Sequence, residues 1–120
     1  MNIKHEVSVV RTGYDNIRNM DRWKVTIGVE EFEYWTGIGL RNGVHPRTPK
    51  TVDIIGSLLL DYDAGAEGFE DFCAEFGYNE DSRKAYATWE GCRDNMLKVD
   101  RLFTPDEIME LREELEEEGW

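Results

Sequence analysis

The chain has 120 residues, 40% hydrophobic and 12% aromatic, enough for one domain with its own core. Its 26 acidic and 14 basic residues give a formal net charge of −12. Such a field repels nucleic acid and anionic lipid and attracts basic proteins. With two cysteines and no apolar run near the ~18 residues that cross a bilayer, the composition argues against a disulfide-stapled secreted scaffold and against a membrane-spanning chain.

Residues 3–12 alternate imperfectly between apolar and polar side chains and predict a strand, whereas 13–21 are rich in turn formers and predict a loop. Trp23, Val25 and Ile27 then alternate with Lys24 and Thr26. A second run, Phe32 to Thr36, follows a short turn containing Gly28, and the pair predicts an antiparallel hairpin. So small a sheet is not stable alone in water, so one face is expected to pack on helices.

Residues 37–50 read as a loop, at whose end Thr48-Pro49 resembles a helix N-cap with proline at the first helical position. The buried side of that helix is expected at Ile54, Ile55, Leu58, Leu59 and Tyr62, with Gly56 allowing close approach of a neighbour. Asp61 to Glu67 reads as a polar turn between helices. A short helix follows with Phe69, Phe72, Cys73 and Phe76 on one face, and Gly77 sits where a left-handed cap residue is wanted. Asn79 or Asp81 is expected to cap a long helix carrying Ala85, Trp89, Cys92, Met96, Val99 and Phe103 on one stripe. Thr104-Pro105-Asp106-Glu107 has the form of a capping box, opening a last helix with Ile108, Leu111 and Leu115 on its apolar side. The expected architecture is α+β in a single domain, 1–120. An antiparallel hairpin or three-stranded sheet in 1–37 packs on about four helices in 48–118.

No pattern in the chain carries catalysis. Asp61 to Glu67 fails as a calcium loop, because the sixth and twelfth positions counted from Asp61 are Ala66 and Phe72 rather than Gly and Glu. The glycines at 37, 39 and 43 do not open a helix directly, as a dinucleotide-binding loop would. His5 and His45 lack partners at ligand spacing, so no metal and no cofactor is expected. Cys73 and Cys92 fall on apolar helix faces, which makes a thiol inert. The basic residues of the first half (among them Arg18, Arg22 and Lys24) could hold nucleic acid with Trp23 and Trp35 as stacking partners. They are interrupted by Glu30, Glu31 and Glu33, and the net charge opposes that reading.

The string Gly68-Phe69-Glu70-Asp71-Phe72-Cys73, then Glu75-Phe76-Gly77-Tyr78, then Asp81-Ser82-Arg83-Lys84-Ala85, followed by Trp89 and Cys92, resembles a family of small phage and prophage accessory proteins. Trp23-Lys24-Val25-Thr26 and the Leu58 to Asp61 helix end fit the same pattern, so the resemblance covers roughly residues 22–103. The family is mostly of unassigned activity. The resemblance implies a mobile-element protein working in bacterial cytoplasm, and it implies no reaction. The charged start from Met1 to Glu6, which lacks a signal-peptide core, agrees with that location.

The charge is lopsided. Residues 1–50 hold eight Lys/Arg and six Asp/Glu, whereas residues 51–120 hold six and twenty. On the last helix Glu107, Glu110, Glu114 and Glu117 (or Glu118) follow 3–4 spacing and are read as lying opposite the apolar stripe, with Glu113 among them. Neighbours on such a row stand about 5–6 Å apart at Cβ. The plain explanation is a solvated face. On a chain with the phage-like motif, twenty acids in seventy residues argue equally for a binding face. The expected function is therefore non-enzymatic. It is inhibition of a basic nucleic-acid-binding host defence complex, a CRISPR effector or a restriction enzyme, by an acidic DNA-mimicking face. The candidate partner-binding residues are Glu107, Glu110, Glu113, Glu114, Glu117 and Glu118, then Glu90, Asp94 and Asp100 on the long helix. Neither direct nucleic-acid contact nor membrane contact is expected. The alternative is a phage assembly module that forms a homodimer through helix 81–103 or the hairpin edge, with the acids only keeping it in solution.

Overall fold

The computed structural model describes Met1, residues 3–37 and residues 48–120. The glycines at 39 and 43, together with Arg41, His45 and Arg47, lie outside the described residues. The chain forms two compact units, Met1–Ile54 and Ile55–Trp120.

The first unit holds a three-stranded antiparallel sheet of Val7–Asp15 (β1), Met20–Ile27 (β2) and Glu30–Thr36 (β3), in the order β1-β2-β3. Val25 stands opposite Val9 on one side and Phe32 on the other. The two-residue period of β2 places Trp23, Val25 and Ile27 on a buried face, while Arg22 and Lys24 are exposed on the opposite one. Asp21 shares the buried face and is 4% exposed. Its Oδ1 accepts hydrogen bonds from Arg11 Nε and Nη2 at 3.1 and 2.8 Å, the charged partner that a buried carboxylate requires. The Trp23 indole N–H donates to Thr36 Oγ1 at 2.7 Å.

Two boundaries differ from the sequence reading. The first strand starts at Val7 rather than residue 3, and the expected loop over 13–21 shrinks to the link between Asp15 and Met20. Asp15 Oδ1 accepts the amides of Ile17 and Arg18 at 2.9 and 3.1 Å, and Asn19 takes a left-handed φ of 55°. Those two devices reverse the chain in few residues, so the neighbouring turn formers join the strands. The register shifts between Arg11 and Gly13, a bulge that accommodates Thr12.

Four helices follow: Thr51–Ala66 (α1), Phe69–Phe76 (α2), Arg83–Leu102 (α3) and Pro105–Glu117 (α4). The first begins after the expected cap: the Ile54 amide donates to the Lys50 carbonyl, so Thr48 and Pro49 precede the helix. It also runs through Asp61 to Ala66, the segment read as a turn. Between α2 and α3 the Gly77 and Tyr78 amides both donate to the Cys73 carbonyl, with Gly77 at φ 73° as expected. The cap of α3 is Ser82, whose Oγ accepts the Ala85 amide at 3.2 Å. Asn79 instead accepts the amide of Asp81 within the turn.

Within the second unit Ala64, Phe72, Cys73 and Ala85 form a buried cluster, with Phe69, Tyr78, Trp89 and Cys92 packed against it. Phe76, expected on the buried face of α2, is 52% exposed. Among the described residues no helix is long and apolar enough to cross a membrane.

Candidate functional site

The two units divide the charge unequally. Residues 1–54 hold eight basic and seven acidic residues, and 55–120 hold six and nineteen. The acidic helix α4 is held at its start by a complete capping box. Thr104 Oγ1 accepts the Glu107 amide at 3.2 Å, and Glu107 Oε1 accepts the Thr104 amide at 2.9 Å. Its buried side is Ile108, Leu111 and Leu115, as the spacing predicts.

The acid row does not lie as expected. Glu107 stands one turn before Leu111 and next to Ile108, and Glu114 stands one turn after Leu111 and next to Leu115, so both border the apolar face and are half-buried. Glu114 turns Oε2 inward, where no hydrogen bond meets it. Glu107 is committed to the cap. Asp106, Glu110, Glu113 and Glu117 are all exposed, at steps of four, three and four, and form one outward line. Glu118 is exposed at the helix end, where its amide donates to the Glu114 carbonyl. Of the six α4 candidates, Glu110, Glu113 and Glu117 thus share a face, and Asp106 joins them.

On α3, Glu90 and Asp94 are exposed one turn apart. Glu90 accepts the Tyr86 hydroxyl, which raises the Tyr86 pKa. Asp100 lies on a different side of the helix and accepts the Tyr62 hydroxyl at 2.9 Å, tying α3 to α1. That contact raises the Tyr62 pKa.

A polar seam runs between α1 and α3. Asp61 accepts Asn95 Nδ2 at 2.9 Å and lies 3.9 Å from Cys92 Sγ. Burial pushes the Asp61 carboxyl above its ordinary range, against the lowering effect of both partners. Burial and the adjacent Asp61 push the Cys92 thiol up to about 11, and burial raises Cys73 as well. Neither thiol is poised as a nucleophile. Glu67 is raised chiefly by its hydrogen bond with Glu75, and then by burial and the neighbouring carboxylates. Among the described residues no group of His, Cys, Asp and Glu is arranged to hold a metal ion.

The basic and aromatic residues of the sheet unit are partly engaged with one another. Arg18 lies over the Trp35 ring at 3.8 Å, and Asp15 accepts both the Trp35 indole N–H and Arg18 Nη1 at 3.1 Å. The Trp35 face is thereby occupied by an internal cation–π contact.

Sequence reasoning missed a groove of about 410 Å³ between α1 and α4, lined by Leu59, Leu60, Met109, Leu115 and Trp120. Glu113 and Glu116 stand at its lip. Arg112 bonds Asp63 in bidentate fashion at 2.6 and 3.0 Å beside them. The available signal was apolar residues off the helical stripes: Leu60 is 62%, Met109 60% and Trp120 48% exposed. Comparison with known proteins finds no matching family model, no matching curated protein and no matching solved structure.

Proposed function

We propose that this protein is a non-enzymatic inhibitor encoded by a phage or another mobile element, acting in the bacterial cytoplasm. Its acidic helical unit binds a basic nucleic-acid-binding protein of a host defence system, a CRISPR effector or a restriction enzyme. The observation that carries this reading is the outward line Asp106, Glu110, Glu113 and Glu117 on a helix whose start is fixed by a capping box. That line spans about 16 Å. It offers carboxylates at intervals of one turn to Lys and Arg side chains that otherwise hold phosphates. The excess of acids in residues 55–120 adds a long-range attraction for a cationic groove. Glu90 and Asp94 on α3 are secondary contacts. Glu107, Glu114 and Asp100 act through the fold that presents the line.

The test is a pull-down with purified CRISPR effectors and restriction enzymes, followed by binding titrations across a range of salt. The expected result is a partner whose affinity falls steeply with salt and falls at least tenfold when Glu110 and Glu113 are both changed to Lys. Capture of no effector or restriction enzyme, or an affinity indifferent to salt and to those changes, overturns the reading. The assembly-module alternative predicts a salt-insensitive homodimer in light scattering. Of the two surfaces it would use, the apolar stripe of α3 is already buried at Ala85 and Val99, and the hairpin edge is tested by the same measurement.

A further inference from the structure

The groove between α1 and α4 is built differently from the acid line beside it. Leu60, Met109 and Trp120 expose about half or more of their surface around it, and Leu59 and Leu115 form its buried wall. Its volume of about 410 Å³ lies in the ~300–1,000 Å³ range of ligand clefts. The groove is open to solvent, and its apolar side chains offer surface that a partner's side chain can cover.

We infer that this groove takes an apolar side chain from a cationic amphipathic segment of a partner protein, Lys or Arg residues of the same segment meeting Glu113 and Glu116. The inference rests on the inhibitor reading and adds to it: recognition combines an apolar anchor with charge, where mimicry of a phosphate backbone uses charge alone.

Charge selects this occupant. Helix α4 carries seven acids and one basic residue, Arg112, and that residue is already bonded to Asp63. A second copy of the same face would bring like charges together, and nucleic acid would be repelled. A helix or strand with an apolar residue flanked by Lys or Arg satisfies both the cleft and its lip. Trp120 lies flat on Gly56 and supplies a broad aromatic wall of the kind that dominates interface energetics. Glu113 belongs to both the lip and the outward acid line, so one bound segment can span the two.

The experiment compares two synthetic peptides titrated against the full chain at low and at high salt. One is a helical peptide of Lys and Leu with the Leu residues at 3–4 spacing. The other is an oligolysine of equal charge. The expected result is at least tenfold tighter binding of the Lys–Leu peptide, with that excess surviving high salt. The double variant Leu60→Ser and Met109→Ser changes two exposed side chains and leaves the charge as it is. It should bring the Lys–Leu peptide down to the oligolysine level. Glu113→Gln with Glu116→Gln should weaken both peptides. Equal binding of the two peptides, or an excess that persists in the Leu60→Ser, Met109→Ser variant, overturns the groove proposal and leaves the electrostatic reading standing. Failure of both peptides to bind at low salt overturns the two together.

Discussion

A Cβ built on Gly65 would stand 2.6 Å from the carbonyl oxygen of Cys92, so α1 and α3 touch there backbone to side-chain-free backbone. This contact leaves room only for a glycine one residue before the end of α1, where the sequence alone suggested a turn. Backbone cannot step aside, so Gly65→Ala should destabilise the protein by roughly 1–3 kcal/mol despite alanine's better helix propensity. Gly56, nine residues earlier, meets only the Trp120 ring at the same 2.6 Å. That ring is a half-exposed side chain rather than backbone, and alanine gains ~0.5–1 kcal/mol in a helix interior. Gly56→Ala should therefore leave stability within about 1 kcal/mol of the native protein and shift tryptophan emission to the red. Urea unfolding followed by circular dichroism, with fluorescence alongside, measures both.

The Asp61 carboxyl makes stability depend on acidity. Burial raises its folded pKa, so the folded protein holds that proton more tightly than the unfolded chain does. The associated stability is fully present below the ordinary carboxyl pKa and is lost as pH rises through the raised folded value. Glu67, raised by its bond to Glu75, works in the same direction. Asp61→Asn should keep the acceptor for Asn95 and remove the buried charge. It is expected to raise the melting temperature at neutral pH, with the advantage shrinking towards nothing as the medium is acidified below the carboxyl range.

Charge reversal in the acid line should separate folding from binding. Glu117 lies in the last turn of α4 with Glu113 and Glu114 one turn before it. A lysine there gains a favourable Glu-to-Lys pairing and complements the helix dipole, stabilising by about 0.3–1 kcal/mol. Glu117→Lys is thus expected to melt higher and bind a basic partner more weakly. Thr104→Ala, which opens the capping box, should cost about 0.5–2 kcal/mol. Thermal melts set beside partner titrations distinguish the two outcomes.

The thiols should be silent in the native state. Cys73 is 1% exposed, and Cys92 is held up at about 11 next to Asp61. A thiol-reactive disulfide reagent at mildly alkaline pH should label neither at an appreciable rate until denaturant is added. Rapid labelling of Cys92 in the native protein would show that the α1–α3 seam opens.

The sequence by itself determined the elements that local physics controls. Period-two alternation marked Trp23, Val25 and Ile27 as one face of a strand, and the 3–4 spacing marked Ile108, Leu111 and Leu115 as the buried side of a capped helix. Thr104 with Glu107, and Gly77 with its left-handed φ, were legible because each device works within a few residues of chain. Tertiary structure decided what depends on residues far apart in sequence. Gly65 has no room for a side chain because the Cys92 carbonyl lies against it, and Gly56 faces a tryptophan sixty-four positions away. The groove exists because α1 and α4 lie side by side, and Glu107 and Glu114 left the acid line because they border the buried side of α4. Periodicity specifies which residues share a face. The neighbour covering that face, and the residues left at its border, follow from packing between segments that no local pattern connects.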